Sequence, residues 1–444
     1  MTMQDDPSNS RPMRVPSGRV ARVARLGSLA AGAAGRGAWQ AARDLGQGTR
    51  PRLAGLLATP ANVTRLAEEL ARMRGAAMKL GQILSMDAGE VLPPELAEIL
   101  ARLRNDAHFM PVRQLKQVLN VEWGAHWPRA FRSFDVNPVA AASIGQVHRA
   151  VLRDGREVAV KVQYPGVARS IDSDIANVGA LLRLSGLVPK GIDLTPYLDE
   201  ARRLLHEETD YLREGRNLAA FGQRLSTSGR FVVPEFHADW STARVLTMSY
   251  IAGWPIEDAA GLDQDARDRL AGDLMALFLR ELFEFEEMQS DPNFANYMVS
   301  DDGQRIVLLD FGATRRIAPA LVADLRDFLA AGLCCDDERV ETLARRMGML
   351  SDADRADHQA AILSMIAMVF SALRAAPVFD FAQSDLARRL QDSALAMAET
   401  GYAPRPLPMD LLYLQRKVAG MFLLARRLQA RVPVQHLLRD HGVW

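Results

Sequence analysis

The sequence predicts an α+β chain of two lobes. A small β-sheet interrupted by helices follows an N-terminal helical extension and precedes a mostly helical C-lobe. Three observations carry this. Asp154-Gly155 and Asp302-Gly303 each lie between two runs of strand-forming residues, which is the pattern of a hairpin. Elsewhere apolar residues recur at three- and four-residue steps over long stretches, which is the period of a helix. The composition, 48% hydrophobic and 24% charged in 444 residues, is that of a globular protein and excludes disorder or fibrous repeats as descriptions of the whole chain.

The first ten residues read as an unstructured tail. Across 11–52 nine arginines face one acid, Asp44. Arg19, Arg22 and Arg25 form one stripe, Val20, Val23 and Leu26 a second, and the two are offset by ~100° on a helix. Gly27, Ala31 and Gly35 make a small-residue seam. Three readings stay open for this leader: a solvated basic segment with a packing helix, a contact with an anionic membrane surface, or a mitochondrial-type transit peptide. From Thr64 to about Asp106 the pattern is helical, with Pro93-Pro94 between two helices. The first hairpin spans His148–Leu152 and Glu157–Val162. Helix follows over about Val167–Leu225, interrupted near Val188–Gly191. Strands are expected at Phe231–Val233 and Arg244–Met248, and a helix at Asp263–Phe285. The second hairpin spans Asn296–Val299 and Arg305–Leu309, and helix dominates beyond Pro319. Four regions follow: leader 1–52, helical extension 53–135, N-lobe 136–250 and C-lobe 251–444.

Several function classes are excluded early. Lys+Arg and Asp+Glu are each 54, so the chain has no basic excess of the kind that coats nucleic acid. Its two cysteines, Cys334 and Cys335, are neighbours, which rules out a disulfide framework or a cysteine zinc site. They are expected as small core residues in a reducing compartment. None of the eight histidines pairs at metal-ligand spacing. The opening MTMQDDPSNS lacks the basic start of a secretory signal, and no window is expected to approach the ~20 apolar residues that span a bilayer.

Chemistry enters with Asp291-Pro292-Asn293-Phe294-Ala295-Asn296, followed by Asp310-Phe311-Gly312 at the end of an apolar strand. Phosphoryl transfer needs a carboxylate to orient the attacking hydroxyl or water. It also needs a carboxamide and a second carboxylate to hold a divalent metal against the phosphates. The competing reading makes Asp291 and Asn296 turn formers and Asp310 a strand-end cap. Lys161 closes the apolar run Val158-Ala159-Val160, where a kinase-type fold places its phosphate-gripping lysine. Upstream, Ala140-Ala141-Ala142-Ser143 occupies the place of a glycine-rich phosphate loop. Alanine lets backbone N–H groups approach phosphate but loses glycine's torsional freedom. Glu207, Glu208, Asp210 and Glu214 fall in one helical stretch. Asp210 and Glu214 share a face there at i+4, read either as a solvated acidic face or as a partner for cations. Lys79 and Gln82 share a face at i+3 in a stretch where Gly75 and Gly81 weaken the helix.

These motifs, in this order, resemble the UbiB family of atypical protein-kinase-like proteins linked to ubiquinone biosynthesis. The resemblance covers about Gly18 to Arg316 and runs more loosely through the helical C-terminus. It implies a bilobal protein-kinase-like fold binding ATP and Mg2+. Lys161 corresponds to the lysine on the α/β-phosphates with Glu214 as its ion-pair partner. Asp291 corresponds to the catalytic-loop aspartate, and Asn296 and Asp310 to the metal ligands. Ala140, Ala141, Ala142 and Ser143 correspond to the phosphate-covering loop, and Met248 to Ile251 to the hinge near adenine. Lys79, Gln82, Glu208 and Asp210 belong to a family-specific extension that covers the place where a protein substrate would dock. The implied clients are lipid-like or phenolic small molecules, and the implied partners an anionic membrane surface and other ubiquinone-biosynthesis enzymes. The implied location is peripheral to the inner membrane in a bacterium, or on the matrix side of a mitochondrion.

Departures from ordinary protein kinases point the same way. Gln289-Ser290 precede Asp291 where an arginine is usual, Asn293 stands where many kinases have lysine, and no Ala-Pro-Glu follows Ala313-Thr314-Arg315-Arg316. Some bacterial relatives end in transmembrane helices, for which Val432–Trp444 is too short and too polar. The reading is an Mg-ATP-dependent ATPase or small-molecule kinase. Its rivals are a nucleotide-binding pseudokinase-like scaffold, a conventional Ser/Thr kinase, and a nucleic-acid binder using the leader.

Overall fold

The computed structural model describes residue 79 and residues 109–185, 194–400 and 407–444. The leader, most of the helical extension, Gln82, the break near 188–191 and residues 404–406 lie outside the described residues. The chain divides into two compact units. One contains the described residues up to Arg216 together with Phe236–Tyr250, and the other Asn217–Glu235 with Ile251–Trp444.

In the first unit, helix α1 (Val112–Trp123) leads into a five-stranded antiparallel sheet. Its strands are β1 (Phe131–Phe134), β2 (Ala140–Ala141), β3 (Gly145–Leu152), β4 (Glu157–Gln163) and β6 (Val245–Ser249). They run in the order β1-β3-β4-β6, with β2 pairing the start of β3. The β3–β4 hairpin turns where the sequence expects it. Gly155 sits at φ 96°, a left-handed conformation that glycine adopts freely, and Asp154 accepts from the Arg156 N–H at 3.0 Å. β4 is buried from Val158 to Gln163, as suits a central strand. Against one face lies an aromatic cluster in which Trp123, Trp127, Phe131, Phe134 and Trp240 pack at 5.0–5.9 Å between ring centres.

The helical insertion comprises α2 (Val167–Ser185), α3 (Thr195–Glu208) and α4 (Tyr211–Leu225). The expected continuous helix through Glu208 and Glu214 is corrected, because the chain breaks at Thr209-Asp210. The Asp210 carboxylate accepts from the Arg213 N–H at 3.0 Å, the geometry of an N-cap. Asp210 caps the second helix rather than lying within one long helix, and Glu214 follows one turn on, its N–H donating to the Asp210 carbonyl at 3.1 Å. Strand β5 (Phe231–Val232) pairs parallel with a strand of the second unit rather than joining the first sheet.

The second unit centres on a four-stranded sheet in the order β5-β10-β9-β7, with β7 (Gly253–Pro255), β9 (Tyr297–Ser300) and β10 (Ile306–Leu308). A two-stranded ribbon pairs β8 (Glu287–Gln289) with β11 (Thr314–Arg316). Helix α5 (Gln264–Phe283) starts at Asp263, whose side chain accepts from the Ala266 N–H. After it come α6 (Pro319–Leu333), α7 (Asp337–Arg346), α8 (Ala356–Arg374), α9 (Leu386–Glu399), α10 (Met409–Arg427) and α11 (Val434–Asp440). The pairing of β12 (Phe379–Asp380) with β13 (Arg431–Val432) ties the tail together.

Two expectations fail here. Cys334 and Cys335 are exposed rather than core, because α6 ends at Leu333 and Cys335 turns away in the left-handed region at φ 61°. Helix α8 is long and apolar enough to cross a membrane by length and composition alone. Its charged residues sit at its ends, and little of it is buried among the described residues.

A buried relay fixes one histidine. The Met110 N–H donates to Gln146 Oε1 at 2.7 Å, so Gln146 Nε2 must donate to His148 Nε2 at 2.9 Å. His148 Nδ1–H then donates to the Asp135 carbonyl at 2.8 Å. Protonating Nε2 would set two donors face to face. Burial also pushes the imidazole below its ordinary 6.5, against the smaller opposing pull of Asp135. Below that value the folded form binds fewer protons than the unfolded one, so this contribution is present above pH 6.5 and lost as pH falls through the folded pKa. Thermal unfolding followed from pH 7 to pH 5 is expected to show a falling midpoint. His148→Gln, which keeps donor and acceptor but does not titrate, is expected to flatten that slope.

Candidate functional site

In the first unit the chemistry gathers around the buried end of β4. Lys161 Nζ donates to both oxygens of Glu214, at 2.7 and 3.0 Å, and the two side chains are 10% and 4% exposed. Glu214 and Tyr211 lie one turn apart on α4, so both reach the same lysine. The Tyr211 ring centre is 5.1 Å from Nζ. Gly145 makes this approach possible, because a Cβ there would sit 2.4 Å from the Val162 carbonyl oxygen and 2.8 Å from Tyr211 Oη. Two charges taken out of water are stable only when so paired, and this pair is a rigid anchor for a cation at the sheet.

The alanine-rich segment is a narrow hairpin. Ala140 pairs with Val147 and Ala141 with Gln146, and the Ala142 N–H donates to the Gly145 carbonyl at 2.8 Å. Ser143 Oγ donates to Glu208 Oε2 at 2.9 Å, and Glu208 also pairs with Lys79, which is buried. The structure thus brings together Ser143, Glu208 and Lys79. Asp210, two residues after Glu208, caps the start of α4. Met248 is buried on β6 opposite Ala159. Ile251, half-buried, is the first residue after the last segment of this unit and belongs to the second.

In the second unit, hairpin register does the positioning. Leu308 pairs with Tyr297, and the next rung is the Leu309 N–H donating to the Asn296 carbonyl at 3.0 Å. Residues immediately before β9 and immediately after β10 therefore meet at one end of the ladder. Asn296 and Leu309 are those residues, and Asp310 follows directly after Leu309. The Asn296 carboxamide donates through Nδ2 to the Asp291 carbonyl at 3.2 Å, which ties the catalytic-type loop to the same end and leaves Oδ1 as an acceptor. Phe311 holds Asp310 in place. Its ring is buried against Phe221 at 4.8 Å, and its carbonyl accepts from Asn217 Nδ2 and Thr314 Oγ1. One carboxylate and one carboxamide oxygen are hard oxygen donors, which suit Mg2+ shared with phosphate better than a soft metal. Among the described residues no group of three or more His, Cys, Asp or Glu side chains gathers as a protein-only metal cage.

Sequence reasoning missed what α10 contributes. Arg416 Nη2 donates to Asp291 Oδ1 at 2.7 Å. Lys417 Nζ donates to the Gln289 carbonyl at 2.8 Å, to Tyr297 Oη at 3.0 Å and to Gln289 Oε1 at 3.2 Å, and lies 3.5 Å from Glu281. Burial pushes the Glu281 carboxyl up to about 7, against the pull of Lys417. Burial works to lower the Lys417 ammonium, and Glu281 and Tyr297 outweigh it and hold the ammonium above its ordinary value. The available signal was an adjacent Arg-Lys inside the apolar helix Leu411–Leu424, where cations need a reason.

Two compact units define a kinase-like α+β protein: a sheet unit with a buried lysine–glutamate pair, and a second unit with an aspartate loop and an Asp-Phe-Gly end. Residues 102–344 match the family model described as ABC1 atypical kinase-like domain, and the chain belongs to this family. It is 36% identical over 442 residues to the atypical kinase coq-8, mitochondrial, of Caenorhabditis elegans, covering 98% of this chain and 58% of that one. Against the atypical kinase COQ8B, mitochondrial, of Rattus norvegicus it is 36% identical, covering 98% of this chain and 83% of the relative. Against COQ8, mitochondrial, of Saccharomyces cerevisiae the values are 35%, 96% and 85%. Among solved structures, the Mycobacterium tuberculosis protein Rv3197, in complex with erythromycin, superposes with a TM-score of 0.59 at 26% identity, covering 84% of this chain and 93% of that one.

Removing the Lys417 cation would leave Glu281 buried without it. Lys417→Met is expected to destabilise the protein by about 3–5 kcal/mol, measured as a lowered denaturation midpoint in urea at pH 8.

Proposed function

We propose that this chain is an Mg-ATP-dependent ATPase or small-molecule kinase of the atypical kinase type, supporting ubiquinone biosynthesis at a membrane surface. The observation that carries this reading is the end of the β9–β10 ladder, where Asn296 is bonded both to Leu309, the residue before Asp310, and to the Asp291 carbonyl. Asn296 Oδ1 and the Asp310 carboxylate hold Mg2+, which when bound neutralises charge on the phosphate oxygens. Asp291 orients the attacking hydroxyl or water. Lys161, itself held by Glu214, binds the α/β-phosphates. The main chain of Ala140, Ala141, Ala142 and Ser143 covers them, and Met248 and Ile251 lie near adenine. The regions 53–135, 136–250 and 251–444 act as extension, N-lobe and C-lobe.

Lys79, Glu208 and Ser143 form one connected group, which supports a role for the extension, with Gln82 and Asp210, in shaping the phosphate loop. That role suits lipid-like or phenolic clients better than protein substrates. The position before Asp291 supports this further. Gln289 is engaged by Lys417 and Ser290 Oγ donates to the Ala313 carbonyl, so the loop offers no arginine there for a phosphorylated activation segment. The arginine-rich leader and the length and apolar composition of α8 support a peripheral membrane location. That location is the inner membrane of a bacterium or, as in the names of the COQ8 relatives, a mitochondrion. Other ubiquinone-biosynthesis enzymes are proposed partners.

In a thermal-shift titration Asp310→Asn is expected to lose the Mg-dependent stabilisation by ATP, and an unchanged shift would contradict the metal assignment. Deletion of residues 1–52 is expected to reduce flotation with anionic liposomes. Undiminished binding would remove the leader from the membrane contact.

A further inference from the structure

One face of α10 is built against the aspartate loop and its surroundings. Asp410, Tyr413, Arg416 with Lys417, and Gly420 follow at three- and four-residue steps, so they share a face. Each touches a different part of the same machinery. Asp410 pairs with Arg315 on β11 at 3.1 Å, and the Arg315 guanidinium lies 4.0 Å from the Tyr413 ring centre. Arg416 pairs with Asp291, and Lys417 binds the main chain of Gln289, two residues before it. At Gly420 a Cβ would lie 2.4 Å from the Pro292 Cβ, so the helix backbone is pressed against the residue after Asp291.

The loop from Ser290 to Asn293 has no regular structure of its own. Its main chain is held by the Ser290 N–H on the Ala313 carbonyl and by Asn296 on the Asp291 carbonyl. Neither bond sets the Asp291 side chain. Arg416 does, through a charge-assisted bond between groups only 15% and 18% exposed. Resting on the reading of Asp291 as the residue that orients the attacking group, we propose that Arg416 is a positioning residue. It holds one carboxylate oxygen of Asp291 so that the other is presented in a fixed direction. Arg416 lies outside the stretch 102–344 that the family model matches.

The test is steady-state ATP hydrolysis by the full chain with Mg2+, comparing the parent with Arg416→Gln, Arg416→Lys and Asp291→Asn. Misdirecting a reacting group costs turnover rather than binding. Arg416→Gln is therefore expected to lower kcat by about tenfold or more, with KM for ATP and the ATP-induced thermal shift unchanged. Arg416→Lys keeps the charge but not the fork, and is expected to recover part of the loss. In an Asp291→Asn background, adding Arg416→Gln is expected to cost nothing more, as for two residues acting as a unit. A parental kcat in Arg416→Gln alongside an inactive Asp291→Asn would overturn the positioning role. A raised kcat would overturn it too, because Arg416 would then restrain Asp291. Parental turnover in Asp291→Asn would overturn the assignment of Asp291 itself, and the role of Arg416 with it. Should Arg416→Gln fail to fold, Arg416→Lys becomes the readout. A lowered kcat at unchanged KM supports the proposal, and a parental kcat overturns it.

Discussion

The register of the β9–β10 hairpin is the constraint on which the second unit's chemistry depends. In an antiparallel ladder the residues flanking one open end are neighbours whatever the length of the turn at the other. Here Asp302 accepts from the Gln304 N–H and Gly303 supplies φ 72°, which closes the turn in one register. A one-residue slip would move every side chain to the opposite face. The Leu309–Asn296 rung, which sets Asp310 one residue beyond the end of the ladder, would be lost. The apolar run Ile306–Leu308, fully buried, keeps the register fixed by the same burial that makes it a strand.

The first unit meets a different demand, a cation kept at low exposure without being stranded. It does so with a short-range device. Tyr211 and Glu214 come from one turn of α4, and Gly145 removes the side chain that would hold β3 away. The relay through Gln146 and His148 rigidifies the following residues of β3, so the strand that carries the alanine-rich hairpin is pinned from two sides.

What was legible in the sequence was local. The Asp-Gly turns, the Asp-x-x-x-x-Asn spacing and the strand before Asp-Phe-Gly each lie within about twenty residues, where turn chemistry and alternation settle the geometry. The Lys161–Glu214 pair came from family resemblance, and the structure shows it as a buried ion pair. Asp210 was misread because counting along a helix assumes the helix continues, and Thr209-Asp210 ends one and caps the next. The cysteines were misread by one turn, since apolar neighbours on α6 say nothing about where the helix stops. The apolar length of α8 is hard to read in the sequence because alanines and serines dilute its apolar character. Arg416 was beyond reach, because its partner lies 125 residues away and pairing at that distance leaves no periodic trace.

That same distance bears on how the chain comes off the ribosome. The aspartate loop is synthesised well before α10, since Gln289 and Lys417 are 128 residues apart. Growing chains fold from their N-terminal parts first. During that interval Glu281 and Asp291 wait without their cations, and the loop has only its own main-chain bonds to keep shape. The second unit therefore acquires its finished aspartate late, when the last long helix docks, and a nascent chain interrupted before Met409 carries the motif without the part that aims it.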